Sequence, residues 1–290
     1  PIENIKAPIA GWGTADGYPL SSHGSKYGPV TIRKGITSSL NIVAARTLMQ
    51  HVTVDKSYNY LMKLGFDEKK INKDGIGLAL GTSGISMLEL TSAYTAIANA
   101  GTYLEPMAFT KITDSEGNTV LTASDTQDSF ELYKRSSSYM LVEALKSAVQ
   151  GGTGTTAQIS GMTVAGKTGT AEKIPRGQGK YLVSFIGCVP ANNPKLVVYV
   201  VIDEPNVEDQ AHSTYATEFA SSLMKDILPM LEIYPSAKKS DITKASKLKI
   251  PSTAKSNLDQ EAPEGGYSDE NYGVAKKAAD DEEGDTGMNN

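Results

Sequence analysis

The chain has 290 residues, 39% of them hydrophobic, a formal net charge of −5 and a single cysteine, Cys188. That length supports one sizeable core, and one cysteine excludes an internal disulfide framework. No apolar run suits a membrane span or a signal peptide, and no basic patch with interleaved aromatics points to nucleic acid.

Apolar periodicity is confined to residues 1–235, which read as one domain. Residues 236–290 are Lys/Ser-rich and then acidic, ending in the run Asp280-Asp-Glu-Glu-Gly-Asp285, and are expected to form a disordered polar tail. In chain order, the first helical pattern covers 39–50, with Ile42, Val43, Ala45, Leu48 and Met49 as its apolar positions. It is preceded by Ser38-Ser39-Leu40-Asn41; taken alone, a serine there is an ordinary helix cap. Further helices are expected over 55–64, 86–99 and 136–149. Ser86 and Glu89 have the capping-box spacing, and Gly101 follows as a stop. Segments 109–113 and 119–122 flank Asp114-Ser-Glu-Gly-Asn118, a hairpin signal.

Strands are expected over 162–171, 181–190 and 195–204. They are joined by a tip at 174–180 and a tight turn at Ala191-Asn-Asn-Pro194. Hairpin connections without crossover helices make this an antiparallel meander. A last helix over 214–231 would place Tyr215, Phe219, Leu223, Ile227 and Met230 on its apolar side. Cys188 lies in an apolar strand and reads as core rather than nucleophile. His23, His51 and His212 have no metal-ligand spacing, so neither a metal nor a cofactor is expected.

The stretch from Val164 to Lys173, VAGKTGTAEK, carries the most chemistry and has two readings. Residues 161–168 satisfy the phosphate-loop pattern G-x-x-x-x-G-K-[ST], and the apolar run 197–204 ends in Asp203-Glu204, as a magnesium-holding strand would. The alternative function is therefore a nucleotide hydrolase. Its context is poor. Met162-Thr-Val-Ala165 is strand-like rather than small and turning. Gly169, Pro175, Gly177 and Gly179 follow the lysine where a helix should begin. In the other reading, Lys167-Thr168-Gly169 lies on an edge strand, with the ammonium pointing into a cleft.

With Ser39-Leu40-Asn41 upstream, Lys167-Thr168-Gly169 resembles the serine-x-asparagine and lysine-threonine-glycine motifs of the penicillin-binding D,D-transpeptidases. The resemblance extends to the stretch from Gly77 to Gly101, to Gly151-Gly-Thr-Gly154, and to Ser184-Phe-Ile-Gly-Cys-Val-Pro190. The upstream half is similar to the bifunctional members, and the strands after Lys167 to the monofunctional ones. The resemblance implies an α/β (α+β) fold of the β-lactamase/transpeptidase type, an antiparallel sheet flanked by helices. It implies peptidoglycan cross-linking by serine acyl transfer, with stem peptides as substrates and β-lactam antibiotics as inhibitors. Ser39 would relay a proton. Asn41 would hold the catalytic lysine and the substrate amide. Lys167 and Thr168 would bind the terminal carboxylate. Gly169 would let the substrate lie against the strand, and Thr170 would give an oxyanion N–H. A non-catalytic β-lactam-sensing module on the same fold is a further alternative.

The family's nucleophile sits in Ser-x-x-Lys before the serine-x-asparagine motif. No such motif precedes Ser39; Ser222-Leu-Met-Lys225 and Ser252-Thr-Ala-Lys255 lie downstream. The expectation is a C-terminal portion of a transpeptidase domain, incomplete at its N-terminus and without its nucleophile. The missing N-terminal part would be its partner. That part would also carry the membrane anchor that holds the domain on the extracytoplasmic face, and two further strands of the sheet.

Overall fold

The computed structural model describes residues 1–13, 17–18 and 28–235. The tail expected over 236–290 lies outside the described residues. Strands β1 (Ile2–Asn4) and β2 (Gly28–Val30) form a short antiparallel pair. Helix α1 (Ile32–Thr37) is capped by the Thr31 hydroxyl, which accepts the Lys34 amide. Helix α2 (Asn41–Thr47) runs on as a π turn over Leu48–Val52. Helices α3 (Val54–Lys63), α4 (Gly75–Leu80) and α5 (Met87–Ala98) follow. The expected capping box is present on α5: Ser86 and Glu89 each accept the other's backbone N–H.

Strands β3 (Thr102–Leu104) and β6 (Ser129–Glu131) pair with each other. The hairpin of β4 (Lys111–Thr113) and β5 (Thr119–Thr122) lies between them in sequence. Helix α6 (Arg135–Gly151) leads into the main sheet: β7 (Ala165–Glu172), β8 (Tyr181–Val189) and β9 (Leu196–Asp203), antiparallel in that order. Helix α7 (Thr214–Met230) completes the described fold.

The register gives the sheet two unlike faces, because residues directly opposite in a ladder share a face. Ala165, Lys167 and Gly169 face the same way as Cys188, Ile186 and Ser184. Ala165 and Cys188 pack there with Val142 and Leu145 of α6 and Ala98 of α5. Burial pushes the Cys188 thiol up to about 12. On the other face, Phe185, Val183 and Val200 meet Ala216, Ala220, Met224 and Leu228 of α7. Phe185 is fully buried. A Cβ on Gly166 would fall 2.4 Å from its ring, and one on Gly187 2.9 Å. The paired glycines Gly166 and Gly187 are the seat on which that ring lies.

Three sequence expectations need correction. The helix expected over 39–50 begins at Asn41, because Ser39 adopts φ 52 and turns the chain between α1 and α2. The strand expected from 162 begins at Ala165; Met162 makes only an isolated bridge to Ile159. The buried side of α7 is Ala216, Thr217, Ala220, Ser221, Met224 and Leu228, while Phe219 is 57% and Met230 81% exposed. Tyr215 and Leu223 pack only at the margin of that core. Small residues let the helix lie close on the sheet, and closeness, not side-chain bulk, decides which face goes inward.

Candidate active site

Two elements distant in sequence meet at Lys167. Helix α1 ends at Ser38, whose N–H donates to the Ile36 and Lys34 carbonyls. Ser39 then takes φ 52, left-handed backbone that costs roughly 1–2 kcal/mol for a residue with a Cβ. Its N–H donates to Ile36 O and that of Leu40 to Gly35 O at 2.9 Å, closing the turn. Leu40 enters the core at 4% exposure. The Ser39 side chain meets β7: Lys167 Nζ donates to Ser39 Oγ at 2.8 Å, across 128 residues of chain. The same ammonium donates to the Thr168 carbonyl at 2.8 Å. Burial, which disfavours the charged form, lowers the Lys167 ammonium to about 8.

The other candidate residues divide between the two faces of β7. Strand alternation puts Thr168 and Thr170 opposite to Lys167 and Gly169. Thr168 is 9% exposed, and its hydroxyl shares a 2.7 Å hydrogen bond with that of Thr153. Thr170 is exposed. A Cβ on Gly169 would lie 2.5 Å from Ser184 Oγ, so the glycine clears space for the neighbouring strand's serine. Asn41 is the first residue of α2, two beyond Ser39, and half-buried. Ser39 and Lys167 are thus brought into direct contact. Thr168 is held separately, by Thr153 of the Gly151-Gly-Thr-Gly154 stretch, a residue for which the sequence alone implies no role. The run of small residues between a helix and a strand was the available signal, since it marks close approach of backbones.

The phosphate-loop reading fails on this geometry. Strand β7 runs through Lys167 and Thr168 to Glu172 and pairs along its length with β8, so no helix departs from the lysine as a phosphate loop requires. Gly166 seats the Phe185 ring instead of opening an amide nest. The acidic pair is engaged elsewhere: Lys173 meets Asp203 at 2.9 Å and Glu204 at 2.7 Å, and Lys180 meets Glu204 at 3.1 Å. Of the downstream Ser-x-x-Lys matches, Ser222 and Lys225 are exposed on α7, and Ser252 lies outside the described residues.

Solved structures place this architecture in the transpeptidase class. The apo transpeptidase domain of penicillin-binding protein 3 from Burkholderia pseudomallei is 26% identical, with a TM-score of 0.60, over 74% of this chain and 69% of that one. Penicillin-binding protein 3 of Mycobacterium tuberculosis, solved in complex with ampicillin, has a TM-score of 0.64 at 21% identity, over 76% of this chain and 55% of that one. At that identity the likeness concerns the fold.

Residues 5–225 match the family model of the penicillin binding protein transpeptidase domain, and the chain belongs to that family. Stage V sporulation protein D of Bacillus subtilis is 30% identical over 204 residues, 62% of this chain and 31% of its own length. The probable peptidoglycan D,D-transpeptidase PenA of Neisseria gonorrhoeae is 34% identical over 159 residues, 53% of this chain and 24% of its own length. The chain therefore spans a third or less of these curated relatives.

Proposed function

We propose that this chain supplies the substrate-binding and proton-relay half of a serine-type peptidoglycan D,D-transpeptidase. The contact between Lys167 Nζ and Ser39 Oγ carries the reading. An ammonium hydrogen-bonded to a hydroxyl can pass a proton through it, and a lysine lowered to about 8 does so near working pH. Thr168 and Thr170, on the face of β7 opposite to Lys167, would offer hydroxyls to a substrate carboxylate, and the Lys167 ammonium would add its charge from across the strand. Asn41 would orient the substrate amide from the start of α2, and the Thr170 N–H would face the developing oxyanion.

The substrates of this reading are stem peptides of peptidoglycan, β-lactams are its covalent inhibitors, and no cofactor takes part. The nucleophile comes from a Ser-x-x-Lys segment that the 290 residues do not include before Ser39. The reaction belongs on the extracytoplasmic face of the membrane, where the polymer is. Among the described residues no helix is long and apolar enough to cross a membrane.

Labelled penicillin tests the proposal. The 290-residue chain alone gives no covalent adduct on a denaturing gel. The same chain joined to the Ser-x-x-Lys segment of a related transpeptidase gives one, and its Lys167→Ala variant loses it. Covalent label on the isolated chain, or labelling that survives Lys167→Ala, contradicts the proposal.

A further inference from the structure

We infer that the Gly152–Thr153 turn is a positioning clamp that holds the Ser39 loop and the Lys167 strand in register with each other. The use assigned to this clamp rests on the transpeptidase reading, but its geometry does not. Three contacts define it. The Thr153 N–H donates to the Thr37 carbonyl at 3.2 Å, at the end of α1 and two residues before Ser39. The Thr153 hydroxyl bonds that of Thr168 at 2.7 Å, on the strand that carries Lys167. Gly152 lies against the same carbonyl so closely that a Cβ there would fall 2.2 Å from Thr37 O and 2.8 Å from Ala148 O. One dipeptide therefore touches the end of α1, the end of α6 and the middle of β7. Arg33 fixes the other end of α1 to α6, donating to Glu143 O at 2.7 Å and to Ser147 Oγ at 3.1 Å.

The hydroxyl pair also has a chemical direction. Each threonine hydroxyl has one proton to give. For Thr168 to donate to a substrate carboxylate, it must accept from Thr153. Thr153 is then a positioning residue that acts through Thr168 and touches no substrate itself. Valine at 153 removes that donor and frees the Thr168 hydroxyl to turn; serine keeps it.

The test reads the site without requiring turnover. Lysines of the 290-residue chain are reductively ¹³C-methylated, and the Lys167 resonance, assigned with Lys167→Arg, is titrated by NMR. In the unaltered chain its midpoint should lie near 8, well below the ordinary lysine value. Gly152→Ala should drive α1 from α6, hydrate the ammonium and raise the midpoint by at least about one unit, a tenfold change in acidity. Thr153→Val should shift it in the same direction by less, and Thr153→Ser should restore it. Folded variants that all titrate at the unaltered pH overturn the clamp, as does a serine variant that behaves like valine. Amide exchange on the unaltered chain decides the case even if Gly152→Ala fails to fold. The Thr153 amide should be protected to the same degree as the amides of β7, and exchange at exposed-loop rates overturns the inference. A clamp that passes while the joined protein still fails to react with penicillin removes the transpeptidase reading alone.

Discussion

At Lys167 the cost of burying a charge is set against a contact that the proposed chemistry needs. Its folded pKa of about 8 lies below the ordinary lysine value of 10.5. Below pH 8 both folded and unfolded chains hold the proton, and the folded state bears the full desolvation penalty. Between 8 and 10.5 the unfolded chain binds more protons, so stability rises with pH through that window. Above 10.5 the penalty is gone. Lys167→Met should therefore be more stable than the unaltered chain at pH 7, by on the order of 1–3 kcal/mol. Two lost hydrogen bonds offset part of the gain. Denaturant titrations of both chains at pH 7 and pH 10 check this: the margin must shrink at the higher pH, and a margin that grows contradicts the assignment. Lys167-Thr168-Gly169 was legible in the sequence because three adjacent letters carry it. Ser39 was legible through its spacing to Asn41, but its left-handed turn was not, since that depends on how α1 and α2 pack.

The elements follow local signals where those signals are local, and depart where packing decides. The capping box of α5 and the hairpin of β4 and β5 lie near their expected places, since side chain and backbone settle each within a few residues. The inward face of α7 departs from its bulkiest positions, Phe219 and Met230, because small residues lie closest to the sheet. Ala216 and Ala220 are fully buried, and Phe219 is largely exposed. Ala220→Leu should cost about 1–3 kcal/mol by overpacking against the sheet, whereas Phe219→Ser should stay within about 0.5 kcal/mol. Thermal or urea melts of the two variants separate these outcomes, and equal losses would put α7 the other way round. Gly166→Ala should cost more than Phe219→Ser, because its Cβ would meet both the Phe185 ring and, at 2.8 Å, the Ile186 carbonyl.

For the folded unit, the main consequence of the topology is an open sheet edge. Among the described residues β9 pairs only with β8, so its apolar sequence LVVYVVID has no second strand beside it. Such edges template association. Sedimentation of the chain should show self-association that rises with concentration, and Val201→Lys on β9 should reduce it. A monomer at all concentrations would mean that the edge is covered. The antiparallel meander was readable because its strands are consecutive and hairpin-linked. The meeting of the Ser39 loop with β7 was not readable from periodicity, since α6 and the Gly152–Thr153 turn bring it about across more than a hundred residues.

The central claim is that Ser39 and Lys167 act at one site, and a double-mutant cycle on acylation tests it most directly. In the protein that joins this chain to a Ser-x-x-Lys segment, the rate of labelling by penicillin is measured for Ser39→Ala, Lys167→Ala and the pair together. Each single change should slow labelling by about 100-fold or more, and the pair little further, because each removes the same relay. Single effects that multiply in the pair, or a Lys167→Ala protein that labels at the unaltered rate, would contradict the account.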